Sequence, residues 1–176
     1  MNKLKEKRTD IVTHRYIDLV SIAALYHDIG HGPFSHALDR ITENSHEARS
    51  KIILEHVIRK NNIQVSEDEL HFLYELIDPS TTIRNDIWIN QILNNTVFDC
   101  DRADYLLRDS KATGVPIQIS VEEILTLICG AYIDTNNSIR YEAGEQTIRN
   151  IKNSRDTMYN EVYRNDSVKK YEEIIM

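Results

Sequence analysis

The sequence from Tyr26 to His36 reads YHDIGHGPFSH. Together with His46, it places four of the chain's seven histidines within 20 residues. An apolar run precedes it, typical of a helix, and Gly30 and Gly32 end that helix in tight turns. Imidazole and carboxylate groups are the ligands that a divalent first-row metal prefers. The stretch therefore predicts a metal site at the end of a helix.

The spacing within this stretch separates two kinds of histidine. His27 and Asp28 fall at the helix end, where adjacent residues diverge by about 100° and can share one ion only on the helix's inner flank. His31 and His36 fall on the turn, where they could instead contact a substrate phosphate or transfer protons near neutral pH. A single His-Asp pair is common by chance, but four histidines around Gly-His-Gly-Pro indicate a site.

The composition is that of an ordinary globular chain. Hydrophobic residues make up 41% and charged residues 28% of the 176 residues, which predicts one domain spanning residues 1–176. The net charge of −7 argues against broad binding of nucleic acid, which is at most a secondary partner. No apolar run approaches the roughly 18 residues of a membrane span, and no signal peptide is evident. We expect a cytoplasmic protein, or a nuclear one in a eukaryote.

The periodicity predicts a mainly α fold with one small β-hairpin near 131–142. Gly and Pro are few, at 5 and 3, and an alternating pattern surrounds an Asn-Asn turn in the hairpin segment. Ser66 and Glu69 form the pattern of a capping box. The predicted helices cover residues 9–29, 34–42, 46–60, 70–77, 86–94, 98–110 and 121–129, and a long last helix runs from about 144 to the end of the chain.

A second motif lies at residues 98–109, which read FDCDRADYLLRD. Taken alone, its carboxylates could be a solvated face of a helix. Together, the two motifs closely resemble those of HD-domain phosphohydrolases, in particular the deoxynucleoside triphosphate triphosphohydrolase branch that includes the SAM-and-HD-domain proteins. The segment Ser45-His46-Glu47 matches a third element of that family. On the last helix, Arg155 and Tyr163 match an Arg and a Tyr of the family.

This resemblance implies a helical HD-domain core and metal-dependent hydrolysis of a deoxynucleoside triphosphate to deoxynucleoside and triphosphate. The cofactor would be a divalent metal such as Fe, Mn, Zn or Mg, and a homo-oligomer is possible. Arg102 stands where the family has a phosphate-binding Lys, and Tyr159 replaces a His of some members. The implied roles are metal ligation by His27, Asp28 and Asp101, catalysis by His31, His36 and His46, and substrate binding by Arg102, Tyr105, Asp109, Arg155, Tyr159 and Tyr163.

The sequence also departs from the family pattern. The family begins with a further helix whose His is a metal ligand, and too few residues precede His27 to hold it. His14 is the only upstream histidine, at a different distance and in a different context. The C-terminal part of the family is not found either. The chain could be a fragment, an inactive descendant, or an enzyme with a weaker site shared across an oligomer. Two other functions stay open: another HD nucleotidase or cyclic-nucleotide phosphodiesterase, and a silent nucleotide-binding module.

Overall fold

The computed structural model describes Leu4 and residues 12–34, 36–78, 87–95, 98–142 and 144–175. Within these residues the fold is mainly α with one two-stranded antiparallel sheet, which confirms the predicted class. None of the described helices has the length and apolar character needed to cross a membrane. The elements, in order, are α1 His14–Tyr26, α2 His36–Ile41, α3 His46–Lys60, α4 Glu67–Ile77, α5 Ile87–Leu93, α6 Cys100–Thr113, α7 Val121–Cys129, β1 Ala131–Ile133, β2 Ile139–Tyr141, α8 Glu145–Met158, a π-helical turn Tyr159–Tyr163 and α9 Asp166–Ile175.

Side-chain caps set the start of several of these helices. The predicted capping box of Ser66 and Glu69 is present at α4, and Ser120 forms a second one with Glu123 at α7. Each box satisfies two backbone N–H groups that the first helical turn leaves without partners. Gly114 ends α6 in the left-handed conformation, at φ 75°, which glycine adopts without steric cost. The predicted ends at residues 9 and 86 lie outside the described residues.

The prediction of one long last helix is wrong. The α-helical hydrogen bonds of α8 give way after Met158 to a π-helical turn, in which the Arg164 N–H donates to the Tyr159 carbonyl at 2.8 Å. A new helix then starts, because the Asn165 side chain accepts from the Ser167 N–H at 2.9 Å and caps α9. A periodicity of 3.6 residues cannot reveal such a change of hydrogen-bond register.

The chain divides into two compact units, a histidine-rich unit and a hairpin unit. The histidine-rich unit comprises residues 14–85 and 172–176. In it α1 packs along α4, with the Tyr16 ring 5.4 Å from that of Phe72. Leu19, Ala23 and Leu54 are buried beside them. This packing holds the C-terminal end of α1, and with it the histidine-bearing turn, on a fixed support. The prediction of a single domain stays a prediction.

The hairpin unit comprises residues 1–13 and 86–171. Its two strands pair Ala131 with Tyr141 and Ile133 with Ile139, and the Tyr141 ring packs edge-on against Phe98. Helices α6 and α8 pack together over an apolar core, which positions the tyrosines and arginines of both helices. The buried members of this core are Phe98, Ala103, Leu106, Ile119, Ile124, Leu127, Ile151 and Met158.

Candidate active site

The turn after α1 is fastened directly to helix α3. The buried Ser50 hydroxyl donates to the His27 carbonyl at 2.8 Å and accepts from the Gly30 N–H at 2.9 Å. A Cβ on Gly30 would lie 2.1 Å from the His46 carbonyl oxygen and 2.6 Å from the Ser50 nitrogen. Position 30 therefore requires glycine because the backbone of α3 occupies the space of any side chain.

His27 and Asp28 present their donor atoms together at the start of this turn. The Nδ1 of His27 is 2.9 Å from the Ala24 carbonyl, to which it donates in the neutral ring, so that Nε2 carries the lone pair. That Nε2 lies 3.5 Å from Oδ2 of Asp28. A carbonyl-oriented imidazole beside a carboxylate is a donor set suited to a divalent transition metal. The two residues fit a metal-ligand role.

A histidine cluster follows, formed by His31, His36, Asp39 and His46, whose candidate donor atoms all lie within 4.8 Å of one another. The His31 and His46 rings stack at 3.9 Å with an interplanar angle of 14°. The His36 ring meets both of them edge-on, at 4.8 and 5.2 Å. His36 is 70% exposed, whereas His46 is only 14% exposed. The structure thus brings the three predicted catalytic histidines together, with His36 the most accessible.

Asp39 holds His46 in place. Its Oδ2 accepts from Nδ1 of His46 at 2.7 Å, and its Oδ1 is bound by the Arg49 guanidinium. Burial alone would raise the pKa of Asp39, but the hydrogen bonds from His46 and Arg49 outweigh it and lower the pKa to about 2. The carboxylate is therefore ionised at neutral pH and fixes both the orientation and the tautomer of His46.

Arg49 ties the whole region together. Its Nε donates to the Gly30 carbonyl at 2.7 Å, and its Nη1 donates to Thr42 Oγ1 at 3.1 Å and to the Asn44 carbonyl. The same side chain binds Asp39. One guanidinium thus joins the turn after α1, helix α2 and the loop before α3, which fixes the histidine cluster relative to His27 and Asp28.

His31 and His46 each have a further carboxylate nearby, and burial changes the pKa of His31. Burial lowers the pKa of His31, and the nearby charge of His46 lowers it further. Its Nε2 lies 3.6 Å from Asp28. The Nε2 of His46 lies 3.2 Å from a carboxylate oxygen of Glu47, so both nitrogens of that ring face an acceptor.

In the hairpin unit, helix α6 starts at the second motif. Asp99 is buried and caps the helix by accepting from the Arg102 N–H at 2.7 Å and from the Asn95 N–H at 3.0 Å. Burial raises the pKa of Asp99, although these hydrogen bonds oppose the effect. Asp101 lies in the first turn and is partly exposed. The Arg102 guanidinium lies 3.5 Å from Asp99.

Farther along α6 lie Tyr105 and Asp109, two of the residues predicted to bind the substrate, and Tyr163 of the π-helical turn contacts both. The Tyr163 hydroxyl donates to Oδ2 of Asp109 at 2.6 Å. The Tyr105 and Tyr163 rings meet edge-on at 6.1 Å. Burial raises the pKa of both tyrosines, and for Tyr163 the hydrogen bond to Asp109 adds to the increase. Both phenols are therefore neutral hydroxyl groups at physiological pH.

Helix α8 completes this group. The Arg155 guanidinium lies over the Tyr159 ring, 4.6 Å from its centroid, and the Tyr159 ring contacts that of Tyr163 edge-on at 5.3 Å. Burial and the charge of Tyr159 are the main influences on the pKa of Tyr105, which Arg155 and Arg102 oppose. The structure thus brings the six predicted substrate residues into one connected set. We call Tyr105, Asp109, Arg155, Tyr159 and Tyr163 the tyrosine–arginine cluster.

Sequence reasoning missed Asp39 and Arg49. The signal for Asp39 was its position three residues after His36, which puts both on one face of a helix. Arg49 has the same spacing from His46. His14, the only upstream histidine, is exposed at the first residue of α1.

Comparison with known proteins places the sequence in a family. The family model of the HD domain matches residues 4–109. A putative HD domain-containing protein, L394, of Acanthamoeba polyphaga mimivirus is 32% identical over 168 residues, which cover 88% of this chain and 35% of that protein. The deoxynucleoside triphosphate triphosphohydrolase SAMHD1 of Mus musculus is 30% identical over 144 residues, covering 64% of this chain and 22% of that protein.

Among solved structures, a phosphohydrolase from Bacteroides thetaiotaomicron VPI-5482 superimposes with a TM-score of 0.74 at 28% identity. The match covers 97% of this chain and 40% of that one. The chain spans between 22% and 35% of the length of these curated relatives. With more than half of its residues matched by the family model, the chain belongs to the HD domain family.

Proposed function

We propose that the protein is a metal-dependent phosphohydrolase that cleaves a deoxynucleoside triphosphate into deoxynucleoside and triphosphate. The observation that carries the proposal is the pairing of His46 with Asp39, within a cluster of three imidazoles in the unit that also holds the His27-Asp28 pair. Such an arrangement is built to move protons at a phosphate ester. The resemblance to the triphosphohydrolase branch supplies the substrate class.

The histidine cluster would handle the leaving group. A nucleoside 5′-oxygen leaves poorly without a proton, and a general acid accelerates this kind of step by about 10²–10⁴-fold. His36 is the most exposed ring and is the residue that we assign as the acid. His46 stays aligned by Asp39, while His31, whose pKa is lowered mainly by burial, would contact phosphate through a ring N–H.

Metal ligation would fall to His27 and Asp28, and motif matching assigns Asp101 as a further ligand. The hydrogen bond of Nδ1 to the Ala24 carbonyl supports this role because it leaves the lone pair of the ring on Nε2, the atom that faces Asp28. A divalent metal bound there would offset phosphate charge and lower the pKa of a bound water.

The tyrosine–arginine cluster would recognise the deoxynucleotide. Asp109 accepts from Tyr163 and keeps lone pairs for a sugar hydroxyl, since a carboxylate offers about four acceptor positions. The nearby Tyr105 ring would lie against the sugar and leave little room for a second hydroxyl. Arg102 and Arg155 would bind the phosphates, which guanidinium groups contact through two parallel hydrogen bonds.

Product analysis by phosphorus NMR tests the proposal. The purified chain is incubated with each of the four deoxynucleoside triphosphates and Mn²⁺ or Fe²⁺. We expect tripolyphosphate from the wild type and none from His36→Ala. His56→Ala is the matched control, because His56 is an exposed residue of α3, the helix that also carries His46.

Other outcomes assign the chain elsewhere. Release of pyrophosphate or single phosphate would place it among HD nucleotidases or phosphodiesterases. Nucleotide binding without any product would indicate a silent nucleotide-binding module. A homo-oligomer and a cytoplasmic location remain predictions, and light scattering of the purified chain tests the first.

A further inference from the structure

Two arginines of the hairpin unit differ from the other described arginines in what they contact. Seven arginines have a carboxylate within 4.0 Å, namely Arg15, Arg49, Arg59, Arg102, Arg108, Arg140 and Arg149. Within the described part of the chain, neither Arg155 nor Arg164 has one. Both guanidinium groups instead lie over the ring of Tyr159, at 4.6 and 5.0 Å from its centroid. In a chain with a net charge of −7, two neighbouring positive charges that form no ion pair within 4.0 Å among the described residues stand out.

The π-helical turn brings Arg164 to this place. In an α-helix, residues five apart are rotated by about 140° from one another, so Arg164 would point away from Tyr159. The turn closes instead with the Arg164 N–H donating to the Tyr159 carbonyl, a bond between residues five apart. That register aligns position 164 with position 159. Single π-helical turns occur often at functional sites, and here the turn adds a second guanidinium to the face that carries Arg155.

A cavity opens beside the two arginines. It has a volume of about 280 Å³ and is lined by Arg155, Asp156, Tyr159, Asn160 and Arg164. Since one water occupies about 30 Å³ of liquid, it has room for several phosphate-sized groups. The Nε–H of Arg155 is buried and finds no hydrogen-bond acceptor among the described residues, although a buried donor normally has a partner. An acceptor supplied by a ligand would satisfy it.

We propose that Arg155 and Arg164 form a paired-guanidinium site for an oligophosphate, assembled by the π-helical turn. Both guanidinium groups contact the Tyr159 ring and both residues line the same cavity, so a chain of linked phosphates in that cavity can contact both groups. Planar guanidinium groups bind phosphate oxygens in pairs. Asp156 also lines the cavity, so two positive charges and one negative charge leave the site with a net positive charge, which attracts an anion.

This site deepens the proposed function, on which the identity of its natural ligand rests, since triphosphate is both the leaving product and the charged part of the substrate. Arg164 becomes a third arginine for the phosphates, beside Arg102 and Arg155. The spacing of Arg155, Tyr159 and Tyr163 did not predict it. The oligophosphate affinity itself requires no catalysis.

Calorimetric titration with inorganic tripolyphosphate tests the site on the full chain. We expect Arg164→Gln to weaken tripolyphosphate binding about tenfold, because a charge-assisted contact is lost. Arg164→Lys should recover part of the loss, since it keeps the charge without the planar fork. Arg149→Gln is the matched control on α8, because Arg149 is exposed and lies 4.0 Å from Glu145. Thermal unfolding of each variant checks that it is folded.

The outcomes separate this proposal from the proposed function. If Arg164→Gln binds tripolyphosphate as tightly as Arg149→Gln does, the proposal is overturned and Arg164 is only a surface contact of Tyr159. If the wild type does not bind tripolyphosphate, the proposal is overturned as well. Binding that depends on Arg164, in a chain that releases no tripolyphosphate from nucleotides, supports the site and removes the proposed function.

Discussion

The histidine cluster and the tyrosine–arginine cluster use charged side chains in opposite ways. In the first, Asp39 is held between His46 and Arg49, and Arg49 is engaged by three further acceptors. In the second, the guanidinium of Arg155 faces the ring of Tyr159. A charge that is hydrogen-bonded inside the protein fixes geometry. A charge that faces an aromatic ring remains available to a ligand.

This difference matches the chemistry that we assign to each cluster. Proton transfer requires rings held in one tautomer and orientation, since a small displacement of a catalytic group lowers the rate strongly. Phosphate binding requires positive charge that can be approached, and cation–π contacts hold a guanidinium without neutralising it. The two clusters should therefore respond differently to substitution: changes in the histidine cluster should lower kcat, and changes in the tyrosine–arginine cluster should raise KM.

Asp39→Asn should produce the largest effect on activity. An amide at position 39 keeps the shape of the side chain but loses the negative charge that orients His46. We expect kcat to fall about 10³-fold with little change in KM, because the substrate contacts lie on other residues. Steady-state kinetics with a deoxynucleoside triphosphate measures both constants.

Asp18→Asn, on the exposed side of α1, is the control and should leave both constants unchanged. A rise in KM at constant kcat for Asp39→Asn would contradict the assignment, since it would put Asp39 in substrate binding. The contrast between the two clusters would then be lost.

The fold and the site differ in how far the sequence predicts them. The bounds of α3 and α7 followed from apolar periodicity, and the motif around His27 indicated a helix ending in a tight turn. Asp39 did not stand out because its role depends on the packing of α2 against α3, which brings it to His46. The position of Arg164 beside Tyr159 was not predicted, because a π-helical turn depends on backbone hydrogen bonds that side-chain periodicity does not show.

Gly30→Ala should give the largest loss of stability. The added Cβ would overlap the His46 carbonyl and the Ser50 nitrogen of α3, and helical backbone can move only at the cost of its own hydrogen bonds. We expect the free energy of unfolding, measured in urea, to fall by about 3 kcal/mol.

Gly114→Ala is the control. Nothing lies within 4 Å of a Cβ added there, so only the left-handed backbone at φ 75° costs energy, about 1 kcal/mol. Equal losses would show that the close approach of the turn to α3 contributes nothing.

Tyr163→Phe tests the substrate-binding role of the tyrosine–arginine cluster. It removes the hydroxyl that donates to Asp109 at 2.6 Å and keeps the aromatic contacts. We expect KM for a deoxynucleotide to rise about tenfold with kcat nearly unchanged, because Asp109 loses the hydrogen bond that orients its carboxylate. A poorly aligned contact to a charged group corresponds to about 1.5 kcal/mol of lost binding. Tyr171→Phe, at a residue 69% exposed, should change neither constant. A fall in kcat alone for Tyr163→Phe would place Tyr163 in the chemical step.

The smallest effect that we predict is on the pH dependence of stability in Arg49→Met, through the pKa of Asp39. The pKa of Asp39 is lowered from an ordinary value of 3.8 to about 2, and Arg49 provides part of that decrease. A carboxyl with a lowered pKa contributes stability above its unfolded pKa and loses it as the pH falls toward the folded value. Wild-type stability should therefore decline between about pH 4 and pH 2. Without the guanidinium, the pKa of Asp39 in the folded protein should rise by about one, so the decline in stability should end near pH 3 and be smaller.

An NMR titration of the Asp39 carboxyl carbon measures this pKa directly, with Arg59→Met as the control at an exposed arginine of the same helix. An unchanged Asp39 pKa in Arg49→Met would mean that His46 alone holds the carboxylate, and that Arg49 is linked to the cluster only through the backbone carbonyls that it binds.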